Sequence, residues 1–389
     1  MSVQLEPDED YCGLRRPEET LPSYFYFDPA HYERELATFW YKRWVYICRA
    51  SDLAEPRSFR TFKIGNQPVL LLRDEAGALR AFHNTCRHRG AELCGAESGR
   101  FTSKRIICPY HQWTYSLQGD LQRTSSLQEP DGFDRAAFPL YDLAVVEWRG
   151  FVFVNLAGKD ATPFAESFDA TSDKLDNWPL PELVSLRSYR KVMNCNWKIF
   201  WDNFNECLHC PAVHPGLSKL VPIYGRAIMS RREDPHWRDH ADDDDPKYRG
   251  GLRQGAETWS MDGKPSKYTF SDLTPAERAA GYSYMMSAPS MFLAAHVDYV
   301  RVVRLLPLGP EQTELTAEFL FPPEAAADPA FDPSNAVDFI TQVLEEDAGA
   351  CEMNQRGLKA MPHGKGVLMP EDYVLKDFRD WILAELEGS

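Results

Sequence analysis

Two short segments, Cys86-Arg87-His88 and Cys108-Pro109-Tyr110-His111, each offer one thiol and one imidazole, and they constrain this chain more than anything else in it. Donors on two separate turns can serve one centre only if the turns face each other, so the stretch between them must fold back on itself. Two thiolates and two imidazoles suit a [2Fe–2S] cluster in which the histidines hold one of the two irons. Structural zinc sites more often pair C-x2-C with a second such half or with spaced histidines, and a C-x-H half is unusual among them. Gly90, Gly95 and Gly99 are available for tight backbone geometry between the halves. Trp113 and Tyr115, just past His111, are placed to shield the centre from water.

A second constellation follows, Glu206-Cys207-Leu208-His209 and then His214. Residues 197–209 read as a helix ended by Pro211, because proline disfavours helical geometry in the residue before it. Asn203, Glu206 and His209 recur at three-residue spacing and would share one face. The break at Pro211 lets the chain fold back, so that both imidazoles reach one metal. Two imidazoles and one distant carboxylate leave positions of a mononuclear Fe(II) open to oxygen and substrate. That carboxylate is expected on a helix from Ser334 to Gln355, capped by Ser334, with an apolar stripe of Ile340, Val343, Leu344, Cys351 and Leu358. Asp347 falls on the stripe, whereas Glu345 and Glu346 fall off it. A carboxylate on a buried face is costly unless paired or bound to a cation. Asp347 is therefore the expected third ligand, ahead of Glu346 and Glu352.

At 389 residues the chain is long enough for two domains. The pattern predicts an α+β protein: a small all-β domain over 41–156 and a larger domain over 157–389 with an antiparallel sheet flanked by helices. Residues 1–40 are expected to form a helical segment packing with the larger domain, and 157–182 to be a linker. Residues 296–303 and 313–320 look like neighbouring strands with a turn at 307–310. The formal charge of −15 argues against nucleic acid or an anionic membrane as partner and suits docking of a basic redox protein. No apolar run approaches the roughly 18 residues of a membrane span. The N-terminus shows no export signal, so a cytoplasmic location is expected. Nine cysteines without even spacing fit a reduced chain. Outside Cys86 and Cys108 they read as small buried apolar residues, Cys207 and Cys210 included.

Residues 83–91 and 108–115 together resemble the Rieske motif of the ring-hydroxylating oxygenase α-subunits. Asn196-Trp197-Lys198, with 202–211 and His214-Pro215, resembles their catalytic motif, in the same order, and the likeness spans roughly residues 40–360. The resemblance implies a Rieske cluster on Cys86, His88, Cys108 and His111, and a mononuclear iron on His209, His214 and Asp347, the last in the family's Asp-x4-Glu context with Glu352. It implies catalytic roles for Glu206 and Asn203. Glu206 would orient His209 and contact His111 of the next subunit in a head-to-tail homotrimer, because the two centres of one chain lie too far apart. Three departures stand out. Gln112 replaces a frequent Gly, which puts the local turn in question. Nineteen residues separate His88 from Cys108, more than is common. Glu206 stands where many ring dioxygenases have Asp.

Within the family, 203–215 is most similar to oxygenases acting on quaternary ammonium compounds of the betaine, choline and carnitine type. A methylated cation wants aromatic faces, and Tyr224, Trp259, Tyr282, Tyr284, Phe292 and Tyr299 supply candidates. The expected reaction is monooxygenation of an N-methyl group, with loss of formaldehyde. The alternative is hydroxylation or dihydroxylation of an aromatic ring or aromatic acid, for which the same rings would stack. The chain has no G-x-G-x-x-G between strand and helix, so its electrons must come from a separate NAD(P)H-dependent reductase of flavin or ferredoxin type.

Overall fold

The computed structural model describes residues 11–167 and 174–388. Within these, 36–167 with 289–291 cluster as one compact unit, and 11–35, 174–288 and 292–388 as another.

The first unit is built of strands. A seven-stranded antiparallel sheet runs in the order Val45–Arg49, Phe151–Asn155, Asp142–Trp148, Leu79–His83, Gln67–Arg73, Ser58–Ile64, Ser98–Arg100. A three-stranded sheet joins Arg105–Ile107, Thr114–Ser116 and Leu121–Arg123. The long stretch between His88 and Cys108 is put to use: Ser98–Arg100 pairs with Ser58–Arg60 as an edge strand. Cys86 and Cys108 lie in one apolar cluster with Leu70, Phe82, Ile106 and Tyr115. Burying these side chains excludes water from the two thiols.

The second unit carries a five-stranded sheet in the order Val184–Met193, Gln312–Phe321, Val300–Gly309, Met291–His296, Tyr282–Ser287. The α+β architecture is the one expected. The strand limits differ: Val300–Gly309 continues through Pro307, which stands opposite Thr313, and the chain turns at Pro310-Glu311. Proline is tolerated there because the register shifts between Pro307 and Gly309. Of the expected linker, 168–173 lie outside the described residues, while Leu175, Trp178 and Leu180 are buried. The Trp178 indole donates to the His296 carbonyl at 2.8 Å.

Two helices matter most for the site, Trp197–Phe204 and Ser334–Leu358. Asn196 caps the first, its Oδ1 accepting the Lys198 N–H at 3.1 Å. The Asn196 N–H in turn donates to Gln355 Oε1 of the second helix at 2.8 Å, which registers one helix against the other. Ser334 is not the cap of the long helix. It is the first helical residue, and the preceding Asp332 carboxylate takes its N–H and hydroxyl instead. Pro29–Glu35 supplies a buried anchor. Glu35, fully enclosed, accepts from Lys198 Nζ at 2.6 Å and from the Trp197 indole at 3.0 Å. Burial lowers the Lys198 pKa, and the adjacent carboxylate opposes that shift.

Candidate metal centres

The helix carrying Asn203 stops at Phe204, not at His209. Beyond it the Glu206 carboxylate gathers the chain into a turn, accepting the backbone N–H of Leu208 and, at 3.3 Å, that of His209. Asn203 and His209 therefore meet through a turn and not along a helix face, with Asn203 Nδ2 3.3 Å from His209 Nε2. Pro211 ends nothing. It opens the short helix Cys210–Val213, where an absent N–H costs no hydrogen bond. The same turn brings Cys207 and Cys210 within 5.0 Å between Cα atoms and joins them in a disulfide. The expectation of two separate reduced thiols is thus corrected; the other seven cysteines form no disulfide among the described residues.

His209, His214 and Asp347 offer donor atoms that all lie within 4.8 Å of one another. Asp347 Oδ1 is 2.8 Å from His214 Nε2 and 3.5 Å from His209 Nε2. The remaining ring nitrogens are taken by carboxylates. His209 Nδ1 lies 2.6 Å from Glu206 Oε1, and His214 Nδ1 lies 2.8 Å from Glu346 Oε2. With each Nδ1–H donating to its own carboxylate, each Nε2 is the nitrogen turned towards Asp347, donating its proton there and freeing a lone pair for a metal only when that proton leaves. Burial pulls the His209 pKa down, but the Asp347 and Glu206 carboxylates override it and hold it at about 9. His214 is raised in the same way by Asp347 and Glu346 against its own burial. Burial pushes the Asp347 pKa up, yet the two imidazoles hold it below the usual carboxylate value. A divalent cation on this triad would replace the protons that now hold it together. Two neutral imidazoles, one carboxylate and two oriented Nδ1–H groups fit a mononuclear iron.

The other candidate centre is formed by two matching turns. The Gly90 N–H donates to the Cys86 carbonyl at 3.0 Å, and the Gln112 N–H to the Cys108 carbonyl at 2.9 Å. Gly90 has φ +75° and Gln112 φ +59°, so Gln112 adopts the left-handed conformation that a glycine would take. The turn survives the substitution. Gly95 and Gly99, by contrast, do not adopt positive φ. Buried Asn84 closes the first loop, donating to the Cys94 carbonyl at 2.8 Å and accepting from the Leu93 and Cys94 N–H groups. Cys86 and Cys108 are buried, whereas His88 is exposed and His111 half-buried, with ring centroids 4.7 Å apart. Trp113 stacks on His88 at 4.8 Å, and the Tyr115 hydroxyl lies 3.2 Å from Cys86 Sγ. Burial raises the Cys86 pKa, and the tyrosine hydroxyl opposes it. Two enclosed sulfurs and two accessible imidazoles match the donor set of a Rieske cluster, whose histidine-bound iron must be reachable by redox partners.

Comparison with known proteins agrees. Residues 175–388 match the family model "Ring hydroxylating alpha subunit (catalytic domain)", and 43–139 match "Rieske [2Fe-2S] domain". The chain belongs to the ring-hydroxylating α-subunit family. It is a Rieske non-heme iron oxygenase, with a [2Fe–2S] domain and a domain for mononuclear iron. It is 28% identical to the glycine betaine monooxygenase oxygenase subunit of Chromohalobacter salexigens, over 98% of this chain and 89% of that protein. It is 26% identical to the carnitine monooxygenase oxygenase subunit of Acinetobacter baumannii, over 95% of this chain and 94% of that one. The crystal structure of the quaternary ammonium Rieske monooxygenase CntA with L-carnitine shares the fold, with a TM-score of 0.71 at 22% identity, over 98% of this chain and 99% of that one.

Beside the triad of this oxygenase lies a cavity of about 250 Å³. Tyr224, Trp259 and Tyr284 line it; Tyr282, Phe292 and Tyr299, also candidates from sequence, stand behind these walls. Tyr282 packs on Trp259 and Tyr284, with centroids 5.2 and 5.4 Å away. Phe292 packs on Phe204 at 4.3 Å, and the Tyr299 hydroxyl donates to the Trp259 carbonyl at 2.7 Å. Sequence reasoning missed Phe204 and Arg301 here, and it weighed Glu346 only as an alternative ligand to Asp347, not as the partner of His214 Nδ1. Arg301 carried a readable signal, a lone charge inside the apolar run 299–303. Among the described residues no helix is long and apolar enough to cross a membrane.

Proposed function

We propose that this oxygenase monooxygenates an N-methyl group of a methylated ammonium compound. One atom of dioxygen enters a C–H bond of the methyl group, and the other leaves as water after taking up two electrons and two protons. The resulting N-hydroxymethyl ammonium, a carbinolamine, then loses formaldehyde and a proton to leave the demethylated amine. The observation that carries this reading is the set of aromatic faces, Tyr224, Trp259 and Tyr284, in the cavity that also holds His209, His214 and Asp347. Such faces bind a methylated cation without a counter-charge, each contributing about 0.5–2 kcal/mol when desolvated. The names of the glycine betaine and carnitine relatives support the same class.

His209, His214 and Asp347 are assigned to the mononuclear iron, and Cys86, His88, Cys108 and His111 to the cluster. When bound, these centres supply oxygen activation and one-electron transfer. Glu206 holds His209 in its ligating tautomer, and Asn203 stands against the same imidazole. The exposure of His88 and His111 supports electron entry from a separate NAD(P)H-dependent reductase and onward transfer to a neighbouring subunit of a homotrimer, with Glu206 as the bridge. A cytoplasmic location belongs to the same reading.

The test is coupled oxygen uptake with a compatible reductase against methylated ammonium compounds and aromatic acids. Formaldehyde released in step with oxygen consumed is the expected result. Uptake stimulated only by aromatic compounds, with no formaldehyde from any methylated amine, overturns the substrate class and leaves the oxygenase assignment standing.

A further inference from the structure

Among the described residues that line the cavity beside the iron triad, Arg301 is the one arginine or lysine. Its side chain is buried, at 3% exposure, on a strand whose neighbouring positions are apolar. Burying a guanidinium is costly unless it is paired. Arg304, three residues on, meets that requirement with Glu314 at 3.1 Å. Arg301 does not. Among the described residues no carboxylate and no hydrogen-bond acceptor meets its side chain, and its buried Nε is unpartnered. The carboxylates of the cavity wall are already engaged, Glu206 by His209 and Asp347 by both imidazoles. The guanidinium instead lies 5.5 Å over each of the Trp259 and Phe292 rings. Those faces compensate part of the charge, but they supply no oxygen acceptor for its five N–H donors.

We propose that Arg301 anchors a carboxylate of the substrate, so that this oxygenase takes zwitterionic, carboxylate-bearing methylated ammonium compounds in preference to simple quaternary alcohols. The inference rests on the methylated-ammonium reading above and narrows it. A planar guanidinium fork matches a carboxylate with two parallel hydrogen bonds, which fixes one end of the ligand and its orientation. Trp259 serves both ends: it backs Arg301 and belongs to the aromatic wall that faces the methylated nitrogen. A ligand with only the ammonium charge would enter a cavity that already holds an uncompensated cation, and like-charge repulsion would disfavour it. A zwitterion brings its own counter-charge, satisfying Arg301 and leaving the net charge of the cavity unchanged. The discrimination follows from leaving the guanidinium unpaired when the wrong ligand binds.

The experiment uses the holoenzyme with its reductase and compares a methylated amino-acid betaine, its methyl ester and choline, by formaldehyde release and by calorimetric binding. The native protein should prefer the carboxylate over its ester by about 100-fold in kcat/KM, the scale expected for a buried charge pair. In Arg301→Met, which keeps the apolar stem against Trp259 and Phe292, the ratio of carboxylate to ester should collapse towards about one, mainly through KM. Arg301→Lys should retain part of it, because a point charge lacks the fork. The visible spectrum of the cluster and the thermal midpoint report whether each variant is folded. If Arg301→Met does not fold, the native carboxylate-to-ester ratio and Arg301→Lys carry the test. Equal turnover of betaine, ester and choline by the native protein overturns the anchor while leaving N-demethylation intact. Turnover of aromatic carboxylates alone, lost in Arg301→Met, overturns the ammonium reading while leaving the anchor intact.

Discussion

His214 Nδ1 lies 2.8 Å from the Glu346 carboxylate, whose other oxygen is held by the Gln342 amide, also at 2.8 Å. Glu346 therefore decides which imidazole nitrogen is free, although it faces away from the three converging donors. Removing a partner of this kind typically costs 10–100-fold in metal affinity. Glu346→Ala should lose mononuclear iron to a chelator about 10–100-fold more readily, while Glu346→Gln, which still accepts from Nδ1–H, should lie between it and the native protein. Asp347→Ala should lose that iron outright and keep the cluster spectrum. Iron content after dialysis, with the visible spectrum as internal control, decides both. An Asp347→Ala protein that retained full mononuclear iron would refute the ligand assignment.

Glu206 differs from Glu346 because it shapes the backbone as well as the imidazole. Its carboxylate accepts from the Leu208 and His209 N–H groups and from His209 Nδ1 at 2.6 Å. Glu206→Gln keeps an acceptor oxygen but not the negative charge that holds the imidazole proton. Both metal centres should remain filled, while single-turnover product formation slows by about tenfold or more. Metal analysis beside a single-turnover assay separates these effects, and an unchanged rate would dismiss the bridging role.

Much of this site could be read in the sequence, because the ligands come as types at fixed spacing. The proposed cluster donors and the two proposed iron imidazoles are local in the chain, and Asp347, which the structure brings to both imidazoles, was singled out as one carboxylate on an apolar helical stripe. The limits of the iron helix could not be read. Periodicity carried the helix on to His209, whereas the side chain of Glu206 competes for the backbone N–H groups and stops it at Phe204. Glu346 was set aside as lying off the stripe. That position is what lets it reach the far nitrogen of His214 from beside Asp347. The Cys207–Cys210 bond depends on the same turn and was equally hidden. Arg301 was visible as a lone charge in an apolar run, but that no acceptor meets it among the described residues is a tertiary feature.

Gln112 adopts φ +59° in the second cluster turn. A non-glycine residue pays roughly 1–2 kcal/mol there, partly offset because glycine loses more chain entropy on folding. Gln112→Gly should therefore leave the cluster spectrum unchanged and alter stability by no more than about 1 kcal/mol, in the stabilising direction. Gln112→Val, β-branched and ill-suited to positive φ, should destabilise the turn and lower cluster occupancy. Thermal midpoints and cluster absorbance of the two variants check this; equal behaviour would mean that the turn tolerates any side chain.

Asp202 gives the fold a pH dependence that can be isolated. Burial pushes its carboxyl up to about 7 from the ordinary 3.8, against the Tyr26 hydroxyl that donates to it at 2.8 Å and the charge of Lys198. The folded protein thus keeps a proton that the unfolded chain has released over roughly pH 4–7. Because the folded state binds more protons, its stability falls as pH rises through that window and levels off above it. The slope from one such group is at most about 1.4 kcal/mol per pH unit. Asp202→Asn cannot titrate, so the difference in denaturation midpoint between the native protein and this variant should change steadily from pH 5 to pH 7 and hold constant at pH 8. Both proteins carry the same remaining groups, so their contributions cancel in the difference. A difference independent of pH would show that Asp202 is already ionised throughout, with Lys198 as the dominant influence on it.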